Sequence, residues 1–79
     1  MTIFLKVGGM LKERVKTDVD EWTRSVETEP GRTLRQVIEE LGLKTVHVAM
    51  AFVGARLISL SYVPHDGDVI TLRPPVQGG

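Results

Sequence analysis

The residues with a chemical use of their own stand together at the end of the chain, Pro74-Pro75-Val76-Gln77-Gly78-Gly79. A diglycine just past a Pro-Pro pair can present its own carboxylate as a substrate. Glycine has no Cβ, so two in a row can enter an active-site channel too narrow for bulkier residues. Pro74 and Pro75 fix φ and remove two backbone donors, which ends the preceding strand and stiffens the root of the tail. The ordinary alternative is a frayed chain end, where glycine carries no function. The expected organisation is a folded domain over residues 1–73 and a flexible tail over 74–79 that projects from it.

Other candidates for chemistry are weaker. Without cysteine there is no disulfide framework, thiolate zinc site or cysteine nucleophile. His65, Asp66 and Asp68 could be imagined as a metal trio, but Asp66-Gly67-Asp68 is ordinary turn chemistry, because aspartate side chains bond nearby backbone. His47 has no second His or acid cluster beside it, so it is expected to be a hydrogen-bonded structural residue. No metal site and no bound cofactor are expected.

At 79 residues the chain has room for one domain. Its 42% hydrophobic and 25% charged content is that of a folded globular protein. Ten Lys/Arg balance ten Asp/Glu, so no global field draws it to nucleic acid or to an anionic membrane. No segment approaches the ~20 apolar residues that span a bilayer, and no leader pattern opens the sequence. The expected location is cytoplasmic.

The elements that must position the tail follow from periodicity. Thr2 to Val7 is rich in β-formers, with Ile3, Leu5 and Val7 on one face and Thr2, Phe4 and Lys6 on the other. Gly8-Gly9 breaks this strand, and Met10 to Asp20 is charged without a sustained period, so it receives no assignment. Trp22 to Thr28 alternates, setting Trp22, Arg24 and Val26 against Thr23, Ser25 and Glu27. The charge at Arg24 predicts an edge strand. Glu29-Pro30-Gly31-Arg32 is a turn.

Thr33 N-caps the predicted helix and Gln36 completes a capping box. Leu34, Val37, Ile38 and Leu41 form one apolar stripe, and Gly42 stops the helix. Val46 to Val53 reads as a central strand, Gly54-Ala55 as a tight turn, Arg56 to Leu60 as a short strand, Tyr62 to Asp68 as a turn and Val69 to Arg73 as the last strand. The predicted class is α+β: a mixed sheet of four to five strands packed on one main helix, with the first and last strands central, adjacent and parallel.

The run from Val53 through Tyr62-Val63-Pro64-His65-Asp66-Gly67-Asp68 to the terminal Pro74-Pro75-Val76-Gln77-Gly78-Gly79 resembles the MoaD/ThiS family of ubiquitin-like sulfur carriers. The Pro-Pro-Val root is more similar to the molybdopterin-synthase small subunit than to the thiamine carrier. The resemblance implies a β-grasp fold. It also implies a cycle on Gly79, in which an E1-like adenylating enzyme uses ATP to activate the carboxylate and a sulfur donor displaces AMP. The resulting thiocarboxylate would serve a sulfur-accepting synthase subunit in molybdenum or tungsten pterin, or thiamine, biosynthesis. In that reading the chain is a co-substrate and not an enzyme, Gly79 is the reactive residue, and Gly78, Gln77, Val76, Pro75 and Pro74 are the arm. Partners would dock on the sheet face around Phe4, Phe52 and Leu72, with Arg56 and Arg73 at its rim. The alternatives are a ubiquitin-like modifier conjugated through Gly79 and an interaction subunit with an inert tail.

Overall fold

The computed structural model describes residues 1–75; Val76, Gln77, Gly78 and Gly79 of the expected tail lie outside the described residues. Five strands form one mixed sheet: β1 (Thr2–Lys6), β2 (Thr23–Glu27), β3 (Met50–Val53), β4 (Arg56–Ile58) and β5 (Val69–Arg73), in the order β2-β1-β5-β3-β4. β1 and β5 run parallel with Phe4 opposite Val69, Leu5 opposite Ile70 and Lys6 opposite Thr71. Every other pairing is antiparallel. The first and last strands are therefore side by side at the middle of the sheet, as expected, and this α+β layer is the β-grasp arrangement.

Alternation decides which face of the sheet is covered. Ile3, Leu5, Ile70 and Leu72 are at most 1% exposed and face the helices. Over them lies α2 (Leu34–Glu40), whose Leu34, Val37 and Ile38 are fully buried. The sequence sets both ends of this helix. Thr33 Oγ1 accepts from the Gln36 backbone and Gln36 Oε1 accepts from the Thr33 backbone, a complete capping box. At the other end Gly42 takes φ 83, a left-handed value that suits glycine, and Leu43 N donates to Ile38 O at 3.2 Å.

Three local expectations change. The unassigned segment contains a short helix, α1 (Met10–Arg14), whose Leu11, with Val15 just beyond it, is buried in the same core. Residues four apart share a helix face, so two apolar side chains are enough to anchor one turn. The strand expected from Val46 begins only at Met50, because Thr45–His47 forms a 3₁₀ turn and leaves Val46 72% exposed. β3 therefore lies second from the edge, between β5 and β4.

In β2, Val26 is buried and the Arg24 guanidinium donates to Lys16 O at 3.1 Å, as a charge at the margin of a core must. Trp22, expected on the inner side, is 47% exposed beside the Lys12 ammonium, whereas Thr23, expected outside, is buried. The returning chain covers it: Asp18 N and Val19 N both donate to Thr23 O at 3.0 Å, and Ser25 N donates to Asp18 Oδ1 at 2.8 Å. Those bonds close the free edge of β2, the protection an edge strand needs.

Candidate functional site

The site is built from β5 outward. Ile70 and Leu72 point into the core, so Val69, Thr71 and Arg73 point to the opposite side, and the register carries Phe4, Phe52 and Met50 with them. Phe52 lies opposite Leu57 on β4, which adds a side chain 61% exposed. The result is an open sheet face of Phe4, Val69, Phe52, Leu57 and Met50, with Lys6, Thr71 and Arg73 among them. All buried residues of α1 and α2 belong to the core on the other side. The Arg73 guanidinium lies 5.6 Å from the Phe52 ring centroid, so this exposed cation sits over the aromatic part of the face.

The residues expected to form a partner surface divide accordingly. Phe4, Phe52 and Arg73 share the open face. Leu72 does not: at 1% exposure it is a core residue, because it alternates with Arg73. Arg56 is exposed but pairs with Val53, which places it on the helix side of the sheet edge. The sequence reading missed Leu57, Val69 and Met50. The signal was available, since two-residue periodicity assigns Val69 to the face of Arg73, and a two-residue turn at Gly54-Ala55 sets Leu57 opposite Phe52.

At the end of β5 the chain is bonded on the β3 side and passes beside Gly9 on the β1 side. Ala49 N donates to Arg73 O at 2.8 Å, extending the β3 ladder by one bond. On the β1 side, Gly9 adopts φ 56, and a Cβ at that position would lie 3.5 Å from Pro74 Cγ. Glycine is needed there for the backbone conformation more than for space. Lys6, Gly8, Gly9, Met50, Arg73 and Pro74 line a shallow depression of about 410 Å3 where the sheet gives way to Pro74. Pro74 is half-buried and Pro75 exposed, so the rigid root leaves the body at this edge.

The opposite end of the seam is an Asp-Gly-Asp turn whose carboxylates are already engaged. Asp66 Oδ1 accepts from Thr2 N at 2.9 Å, and Gly67 N donates to Thr2 O at 2.7 Å. Asp68 Oδ2 accepts from the Tyr62 hydroxyl at 2.7 Å and from His65 N at 2.9 Å. Burial opposes the Asp68 charge, but the His65 N–H, the Tyr62 hydroxyl and the nearby imidazole outweigh it and hold the carboxyl below its ordinary value. The same hydrogen bond to Asp68, aided by burial, raises the Tyr62 hydroxyl. These groups secure the start of β5. Among the described residues no three His, Cys, Asp or Glu are grouped to hold a metal ion.

His47 departs from expectation in detail. Its backbone N–H closes the 3₁₀ turn on Lys44 O at 2.9 Å, while its ring Nδ1 is enclosed without a hydrogen-bond partner among the described residues. No helix among the described residues is long and apolar enough to cross a membrane.

No curated protein matches the chain. Among solved structures it is similar to SAMP1 from Haloferax volcanii, with a TM-score of 0.73 and 18% sequence identity over 100% of both chains. At that identity the likeness speaks for the fold, which is ubiquitin-like. The family model described as Mut7-C ubiquitin matches residues 1–78, and the chain belongs to that ubiquitin-like family.

Proposed function

We propose that the chain is a sulfur carrier that works through the carboxylate of Gly79. A carboxylate is a poor electrophile until one oxygen becomes a leaving group. An E1-like enzyme supplies this by joining the Gly79 carboxylate to the α-phosphate of ATP, with release of pyrophosphate. A donor of sulfide-level sulfur then displaces AMP and leaves a thiocarboxylate. The arm delivers that sulfur into a second partner's closed site, where positioning and exclusion of water favour transfer over hydrolysis. The chain itself contributes shape and an end group, and its partners contribute the catalytic residues.

The observation that carries this reading is the placement of β5. The strand that leads to Pro74-Pro75 and the diglycine is the middle strand of a ubiquitin-like sheet, paired with β1 from Val69 to Thr71 and with β3 from Ile70 to its last residue, Arg73. An arm rooted this firmly has a defined origin and direction, which an inert end does not need. The open face beside it, with Phe4, Phe52, Val69 and Leu57, suits a partner that holds the body while the arm is worked on. The receiving pathway is proposed to be molybdenum or tungsten pterin synthesis ahead of thiamine, on the Pro-Pro-Val root alone.

Intact-mass measurement of the chain after incubation with the E1-like enzyme, ATP and a sulfur donor should show one terminal oxygen replaced by sulfur. Only free acid under those conditions would sink the proposal, as would full function in a chain lacking Gly79. The ubiquitin-like family match supports one second reading, a modifier joined through Gly79 to lysines of other proteins. Its mark would be high-mass adducts in cells that vanish when Gly78-Gly79 is deleted.

A further inference from the structure

The edge from which the arm departs has a surface of its own, separate from the open sheet face. Pro74 and Pro75 share a groove of about 130 Å3 with Met10 and Arg14 of α1 and with Val46 and His47 of the 3₁₀ turn. Val46 is 72% exposed and Met10 46%. Arg14 is exposed, with no hydrogen-bond or ion-pair partner among the described residues. α1 and the 3₁₀ turn thus bring apolar and cationic side chains to the root of the arm.

The groove carries one sign of charge although the whole chain is neutral. Among the residues that line it, Arg14 is a cation and none is an acid. Reach adds a geometric constraint. Four residues follow Pro75, and an extended chain spans at most ~3.3–3.6 Å per residue, so Gly79 lies within roughly 14 Å of Pro75. An enzyme that encloses Gly79 must bring the mouth of its channel against the groove around Pro75.

We propose that α1 and the 3₁₀ turn form a docking collar for the rim of the activating enzyme's tail channel, and that this rim is acidic with apolar contacts. Arg14 supplies the charge complement, and Met10 and Val46 supply the apolar contact. The collar rests on the proposed activation of Gly79, since an inert tail needs no channel. A rim charge of this kind acts on encounter and affinity, not on the chemical step.

The test uses the full chain with the purified E1-like adenylating enzyme of the same cell and measures chain-dependent ATP–pyrophosphate exchange. Arg14→Glu, a change at an exposed site, is expected to raise KM for the chain roughly tenfold with kcat retained. Arg14→Lys should stay within about twofold, because a point charge on the rim does not need a guanidinium's geometry. Val46→Asp should also raise KM, and Glu13→Gln should leave both constants unchanged. Raising salt should narrow the gap between wild type and Arg14→Glu. Unchanged KM in Arg14→Glu and Val46→Asp, or a fall in kcat alone, overturns the collar. If exchange is then still lost on deleting Gly79, activation of the tail stands without it. Absence of exchange with the wild-type chain overturns activation and collar together.

Discussion

The Asp68 carboxylate accepts from the Tyr62 hydroxyl and from the His65 backbone, while the carbonyl of the same residue accepts from Phe4 N at 2.8 Å across the β1–β5 seam. Because its folded-state pKa is depressed below the ordinary 3.8, Asp68 contributes stability above that pH, and the contribution is lost as pH falls through the lower folded value. Urea midpoints measured from neutral pH downward should therefore decline below about pH 4. Asp68→Asn should be about 1–2 kcal/mol less stable at pH 7, the scale of hydrogen bonds to a charged acceptor, and should show a shallower acid limb. An acid limb identical to wild type would refute the assignment. The turn chemistry of Asp66-Gly67-Asp68 was legible in the sequence because Asx bonds are local. The bond from Thr2 N to Asp66 was not, because its partners are 64 residues apart.

Among the elements, α2 was legible at both ends because its signals act within a few residues: the Thr33–Gln36 box, the apolar stripe and Gly42. Thr33→Ala removes one side of that box and should lower stability by about 1 kcal/mol in urea unfolding. Helix α1 was not legible, since its Leu11 and Val15 gain their meaning only where the core end is open to receive them. Leu11 is fully buried, so Leu11→Ala should cost about 2–5 kcal/mol, well beyond the Thr33 change. If the two variants were equally mild, α1 would be a surface turn and not part of the core. Val46 to Val53 misled for the opposite reason. An apolar run is compatible with strand or turn, and here the chain spends its first residues in a 3₁₀ turn on the way from α2 to the sheet.

For the whole molecule, the parallel seam joins the beginning of the chain to its end, with one shared core on one face. Opening β1 or β5 therefore requires opening most of the molecule. Hydrogen exchange should find the slowest amides in the paired segments of β1 and β5, with protection approaching the global stability, and faster exchange in the three-residue edge strand β4. Fast exchange in β5 would contradict the view that the arm has a firm root. This hierarchy fits a carrier, because a partner can pull on the arm without loosening the body. It also keeps the open face of Phe4, Phe52, Val69 and Leu57 a constant surface, as the proposed carrier cycle requires.

The sequence by itself determined the five strands, the main helix α2 with its capping and the proposed reactive end from local patterns of side-chain type and spacing, while the central parallel placement of the first and last strands followed from the usual build of such a sheet. Tertiary structure decided what depends on distant chain segments meeting. It buried Leu72 and turned Arg56 to the helix side, folded the charged segment after Gly9 into α1, and covered Thr23 with residues 18–19. It also gathered Arg14, Val46 and Pro74 at one edge. Periodicity states which residues share a face of an element; only packing states what that face meets.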